Sequence, residues 1–169
     1  AGIETMHSGS IVWADYNNDG YSDILEVGNN GGGPVSRLYK NNGNNTFTLK
    51  SVTGLVSGTG HGTKWADFDN DGYIDFLITE GTGANANIYK NTGNDSFINT
   101  NSNISGITGT GSCWFDYDND GDLDLMISGD TDATAGFSIK TKLYRNNTAT
   151  IINQRPAAPS LTTSNNTVF

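Results

Sequence analysis

The sequence predicts an all-β chain of three four-stranded antiparallel blades of the propeller type, an incomplete propeller as a single chain. Three observations predict it. A tryptophan opens a common pattern at Trp13, Trp65 and Trp114, at intervals of 52 and 49 residues. An Asp/Asn-rich loop follows each tryptophan at once. With 22 glycines and only 34% hydrophobic residues, the composition suits many short strands joined by turns, and strong helix formers are thinly spread. No window sets apolar residues at helical spacing over three turns, and no apolar run is long enough to span a membrane.

Each unit begins with a strand ending on Trp13-Ala-Asp15, Trp65-Ala-Asp67 or Trp114-Phe-Asp116. After the acidic loop comes a short apolar strand closed by glycine: Asp23-Ile-Leu-Glu-Val-Gly28, Asp75-Phe-Leu-Ile-Thr-Glu-Gly81 and Asp124-Leu-Met-Ile-Ser-Gly129. A third strand ends in Leu38-Tyr-Lys-Asn-Asn-Gly43, Ile88-Tyr-Lys-Asn-Thr-Gly93 or Leu143-Tyr-Arg-Asn-Asn147, where Asn-Gly or Thr-Gly predicts a tight hairpin. The fourth strand starts at Phe47 or Phe97, and a Gly-hydrophobe pair follows at Gly54-Leu55 and Gly106-Ile107. Gly2-Ile3 takes that slot before the first unit, and the third unit has no phenylalanine at the fourth-strand start. The expected blades are therefore about 4–55, 56–107 and 108–147, within a repeat region of 1–147. Residues 148–169 read as an extended tail or linker around Arg155-Pro-Ala-Ala-Pro159, with Leu161-Thr-Thr and Thr167-Val-Phe as candidates for a donated strand. A start at Ala1 with no leader suggests a processed or excised piece.

The net charge of −9 and pI near 4.3 exclude nucleic acid as a partner, since no basic stripe could meet phosphates. Twelve of the 18 acidic residues sit in the three loops. Cys113 is the single cysteine, so there is no disulfide framework, and its place beside Trp114 predicts a small buried hydrophobe.

The loops run Asp15-Tyr-Asn17-Asn-Asp19-Gly20-Tyr21-Ser-Asp23, Asp67-Phe-Asp69-Asn-Asp71-Gly72-Tyr73-Ile-Asp75 and Asp116-Tyr-Asp118-Asn-Asp120-Gly121-Asp122-Leu-Asp124. Oxygen-bearing side chains fall at positions 1, 3, 5 and 9. A hard cation the size of Ca²⁺ takes roughly six to eight oxygens at about 2.3–2.6 Å, and alternate residues pointing inward supply them. Glycine at position 6 permits the turn that brings the backbone carbonyl of position 7 (Tyr21, Tyr73 or Asp122) inward as a further ligand. Without an ion, carboxylates crowded in this way repel. A helix-loop-helix calcium hand needs a bidentate Glu at position 12, which here holds Glu26, Ile78 and Ile127, on strand-like flanks.

This pattern resembles the FG-GAP or VCBS repeat, the calcium-loop blade of integrin-α-like β-propellers, over about residues 1–147. The resemblance rests on the nine-residue loop and on Leu38-Tyr-Lys-Asn-Asn-Gly43; the namesake Phe-Gly and Gly-Ala-Pro peptides are absent. It implies three Ca²⁺ sites, at Asp15, Asn17, Asp19 and Asp23; at Asp67, Asp69, Asp71 and Asp75; and at Asp116, Asp118, Asp120 and Asp124.

His7 and His61 have no nucleophile at useful spacing, so no enzyme activity is expected. The expectation is a calcium-stabilised structural or adhesive scaffold outside the cell, where millimolar Ca²⁺ fills such sites. Its partners would be other copies of itself or further repeats of a parent chain. The alternative is a carbohydrate-binding module of a secreted enzyme or lectin, with Tyr and Trp faces taking a glycan. Sequons at Asn44, Asn94, Asn103, Asn146 and Asn165 fit a secreted glycoprotein.

Overall fold

The computed structural model describes residues 2–79, 85–102, 104, 108–130 and 139–148. Gly81, the Gly106-Ile107 pair, the sequons at Asn103 and Asn165, and the tail beyond Thr148 lie outside these residues. The described residues contain strands and no helix, so no helix is long and apolar enough to cross a membrane.

The strands pair antiparallel within three sheets, each built from consecutive segments. The first holds β1 (His7–Ala14), β2 (Asp23–Asn29), β3 (Pro34–Asn41) and β4 (Phe47–Lys50), in that order. In the second, β5 (Lys64–Ala66), β6 (Asp75–Ile78), β7 (Asn87–Asn91) and β8 (Phe97–Asn99) repeat the arrangement. The third has β9 (Thr108–Phe115), β10 (Asp124–Asp130) and β11 (Ile139–Tyr144), with β10 central. Register is common to the three: Trp13 pairs with Ile24, Trp65 with Phe76 and Trp114 with Leu125. Across the next ladder Ile24 pairs with Tyr39, Phe76 with Tyr89 and Leu125 with Tyr144. The expected four strands per unit hold for two sheets; the third has three among the described residues, and its sequence lacks the phenylalanine that begins β4 and β8.

The core lies between neighbouring sheets. Strand alternation sends Phe76 and Ile78 of β6 toward the first sheet, where they meet Tyr16, Leu25, Val27 and Leu38. Leu77, between them, joins Leu125 and Ile127 of the third sheet. β6 is therefore buried along its whole length, and each such apolar side chain contributes about 1.5–3 kcal/mol. Phe97 of β8 fills the first of these seams, at 5.5 Å from the Tyr16 ring and 4.9 Å from Phe76. In the second seam a cavity of about 200 Å³ opens among Phe68, Trp114, Leu125 and Tyr144, the counterparts of Tyr16, Trp65, Phe76 and Tyr89.

Two expectations need correction. The turns after β3 and β7 are longer than the tight hairpin expected. Asn42 N donates to Thr46 O at 3.0 Å and Thr92 N to Ser96 O at 2.9 Å, each closing a five-residue connection. Gly43 is needed twice over: its φ is +72°, and a Cβ there would meet the Tyr21 ring at 2.6 Å. Cys113, expected in the core, is exposed. Trp114 and Cys113 point to opposite faces of β9, and it is Trp114 that packs against the second sheet.

Candidate metal centre

The three acidic loops join the first strand of each sheet to the second, and the same conformation recurs in all of them. Asn18, Asn70 and Asn119 at position 4 take left-handed φ of 57°, 57° and 62°; Gly20, Gly72 and Gly121 at position 6 take 87°, 87° and 94°. Glycine suits the second of these positions and asparagine tolerates the first.

The position 1 carboxylate folds the loop around itself. Asp15 accepts from Asp19 N at 3.0 Å and Gly20 N at 2.8 Å. Asp67 accepts from Asp71 N and Gly72 N at 3.1 and 3.0 Å, and Asp116 from Asp120 N and Gly121 N, both at 3.1 Å. Position 5 then takes the amide of position 7: Asp19 from Tyr21 at 3.0 Å, Asp71 from Tyr73 at 2.9 Å, Asp120 from Asp122 at 3.0 Å. The carboxylates at positions 1, 3 and 5 converge. Oxygens of Asp67, Asp69 and Asp71 lie within 4.8 Å of one another, as do those of Asp116, Asp118 and Asp120. In the first loop Asn17 replaces the middle carboxylate.

Position 9 is placed differently. Asp23 is buried and accepts from Tyr16 N at 3.1 Å and Asn41 N at 2.7 Å, tying the loop to the end of β3. Asp75 makes the same pair with Phe68 N and Asn91 N at 3.0 and 2.7 Å, and Asp124 with Tyr117 N and Asn146 N at 3.0 and 2.8 Å. Burial pushes the Asp23 carboxyl up to about 6 and that of Asp75 up to about 7, against the pull of those backbone amides.

A basic side chain from each third strand reaches into the converging oxygens. Lys40 Nζ lies 3.2 Å from Asp19, and Lys90 Nζ pairs with Asp69 and, at 3.0 Å, Asp71. Arg145 meets Asp118 at 2.6 Å and Asp120 at 3.1 Å. The Asp122 amide, opposed by lost hydration and helped by Arg145, holds the Asp120 carboxyl below its ordinary range. Hydrogen bonds to Asp69 and Asp71 raise the Lys90 ammonium. Even so, one oxygen each of Asp69 and Asp118, at position 3, is buried with no hydrogen-bond partner. An all-oxygen donor set around buried, unpartnered carboxylate oxygens fits a hard divalent cation. The second and third loops meet this fully; the first, with neutral Asn17, carries less charge.

Sequence reading missed two roles. The lysines and arginine were legible only as part of a turn motif, though their recurrence after tyrosine in every unit was the available signal. The asparagine next to them was read as a turn residue, and it joins sheets. Asn91 Nδ2 donates to Tyr16 O at 2.7 Å and Ile74 O at 3.1 Å; Asn146 Nδ2 donates to Phe68 O at 2.7 Å and Leu123 O at 3.2 Å. Asn146 is also one of the sequon asparagines, and its side-chain nitrogen is engaged in these two hydrogen bonds. Asn44 and Asn94 are exposed. His7 contacts Ser8 Oγ on the surface and His61 is exposed; neither is in the acidic clusters found among the described residues.

A family model described as the FG-GAP-like repeat matches residues 15–78 and again 67–127. Each match begins on the first aspartate of one loop and runs through the next, so the two overlap on the loop of the second sheet. Searches of curated proteins and of solved structures found no match.

Proposed function

This chain belongs to the FG-GAP-like repeat family, and from that premise we propose that it is a calcium-stabilised extracellular scaffold module, structural or adhesive rather than enzymatic. In this reading each sheet is one propeller-type blade, and the module assembles with its own copies or with further repeats.

The observation that carries the proposal is the threefold recurrence of one loop geometry, with a buried, donorless carboxylate oxygen at position 3 of two loops. Ca²⁺ would be held by the side chains of Asp67, Asp69, Asp71 and Asp75, by their counterparts Asp116, Asp118, Asp120 and Asp124, and by Asp15, Asn17, Asp19 and Asp23. The carbonyls of Tyr73, Asp122 and Tyr21 would complete the shells. The ion supplies charge neutralisation, and three of them would bring the chain from −9 to −3. Sites of this kind fill at millimolar Ca²⁺, a concentration that supports an extracellular reading.

The test is thermal unfolding in Ca²⁺ and in chelator. Each filled site adds about 2.7 kcal/mol at a hundredfold excess over Kd, so EDTA should lower Tm by many degrees. Mg²⁺ should not restore it, because it demands a tighter octahedral shell. An unchanged Tm in EDTA sinks the reading.

The exposed rings of Trp13, Tyr21, Tyr73 and Tyr117 favour a second reading, a carbohydrate-binding module. Quenching of tryptophan fluorescence on a glycan panel would support it, and a silent panel would remove it.

A further inference from the structure

Successive acidic loops are joined to one another by the same hydrogen bond, twice. In the first loop Asn18, between the oxygen-bearing Asn17 and Asp19, donates from Nδ2 to Gly72 O of the second loop at 3.3 Å. In the second loop Asn70, between Asp69 and Asp71, donates from Nδ2 to Gly121 O of the third at 3.0 Å. The donor is always the asparagine of position 4 and the acceptor always the glycine of position 6. Both positions have left-handed backbone, with φ of 57° at Asn18 and Asn70, 87° at Gly72 and 94° at Gly121. The link therefore depends on the conformation of each loop.

The peptide group that accepts this bond is also held from its other side. The C=O of Gly72 and the N–H of Tyr73 belong to one planar unit, and the Tyr73 N–H donates to the Asp71 carboxylate at 2.9 Å. At the next link the unit is Gly121 C=O with Asp122 N–H, which donates to Asp120 at 3.0 Å. Each unit thus has a position 5 carboxylate of its own loop on one end and the asparagine of the preceding loop on the other. Below it, the buried Asn91 carboxamide bonds Tyr16 O and Ile74 O, at positions 2 and 8 of the two loops. That buried contact fixes where the loops stand, while Asn18, Asn70, Gly72 and Gly121 are exposed and free to respond to what the carboxylates hold. In the second loop the Asp69 side chain is only 10% exposed and has an oxygen with no hydrogen-bond partner, pointing to a cation among those carboxylates.

We propose that these peptide units couple the loops, so that Ca²⁺ in one loop tightens Ca²⁺ binding in the loop before it. The proposal rests on the calcium reading above. An Asp71 carboxylate fixed on an ion fixes the Tyr73 amide, the same peptide fixes Gly72 O, and Asn18 is then held between Asn17 and Asp19. The first loop has fewer conformations left to lose, so filling it costs less entropy. Linkage is reciprocal, and an ion in the first loop tightens the second by the same factor. Charge acts the other way: an ion in one loop removes negative charge that attracts the next. That part fades with added salt, and the hydrogen-bonded part remains.

The experiment is a Ca²⁺ titration of the whole chain followed by heteronuclear NMR. The amides of Gly20, Gly72 and Gly121 donate to Asp15, Asp67 and Asp116, so each reports on one loop. Asp69→Asn with Asp71→Asn disables the second loop and keeps its shape. The Gly20 midpoint should then move to at least about fivefold higher Ca²⁺, the low end of couplings between sites, and the shift should persist at high salt. Asn18→Gly removes the donor and accepts the left-handed backbone. In that variant, disabling the second loop should move the Gly20 midpoint by no more than about twofold, as for independent sites. Gly72, read with Asn70→Gly and with Asp118→Asn and Asp120→Asn, repeats the test at the second link should a variant of the first not fold. A midpoint indifferent to the next loop, a dependence that vanishes with salt, or one that survives loss of the asparagine each overturns the proposal. Glycines that respond independently remove the coupling and leave the calcium reading standing; glycines that never respond to Ca²⁺ remove both.

Discussion

Asn91 and Tyr16 stand 75 residues apart in sequence, and the buried Asn91 carboxamide donates a 2.7 Å hydrogen bond to the Tyr16 carbonyl. Its second proton goes to Ile74 O and its oxygen accepts from Gly93 N at 3.0 Å. One side chain thus satisfies three backbone groups on two sheets. Asn91→Ala should cost about 2–3 kcal/mol, because it strips the partners from buried backbone groups. Asn41→Ala, which removes bonds within one sheet only, should cost about 1 kcal/mol or less. Urea midpoints at unchanged slope would report the difference, and equal costs would show that the link between sheets contributes nothing.

The first loop should be the weakest for Ca²⁺. Its position 3 is the neutral Asn17 where the other loops have Asp69 and Asp118, and affinity rises with ligand charge. Titration calorimetry on Asn17→Asp should show one site tightening while two stay as they were. Three indistinguishable sites in the wild type would remove charge as the control.

Lys90 should act as a competitor for the ion. It pairs with Asp69 and Asp71, the carboxylates that would bind the metal. Lys90→Met keeps the stem and removes the charge. In chelator the variant should be less stable by roughly 1 kcal/mol, as the aspartates repel unscreened. In Ca²⁺ it should bind more tightly, so the gap in Tm between the two conditions widens. A narrowed gap would mean that the lysine assists the metal.

Stability in chelator should fall as pH rises from about 4 to about 7. Asp23 and Asp75 are pushed up by burial to about 6 and about 7, while in the unfolded chain both titrate near about 4. Over that window the native state holds more protons than the unfolded one, so each step up in pH favours unfolding. With Ca²⁺ the sign reverses, because the ion binds ionised carboxylates and protons compete with it. Urea unfolding across that range, with and without Ca²⁺, reads both slopes. A flat profile in chelator would show that the two aspartates are ionised in the fold.

The loops, the three-unit organisation and the strand order were legible because they follow from local spacing. Aspartates at alternate positions, a glycine at position 6 and a tryptophan before the loop repeat in one register. What stayed hidden depends on groups far apart in sequence or on which face is covered. The pairing of Lys90 with Asp69 spans 21 residues and that of Asn146 with Phe68 spans 78, so no local pattern shows either. Cys113 was misread because apolar neighbours on a strand say nothing about which side a second sheet covers. The turn at Asn42-Gly43 was misread for a nearer reason. Asn41 Oδ1 takes the Gly43 amide at 3.0 Å, so this glycine opens a longer connection instead of forming the centre of a short one.

Tyr16 lies between Asp15 and Asn17, and Phe68 between Asp67 and Asp69, so the ring that receives the next sheet's tryptophan is a rung of the acidic loop itself. The backbone stretch that gathers the charge of each loop is thus the stretch on which the neighbouring sheet rests, so a substitution that reshapes the loop also tilts the ring beneath that tryptophan.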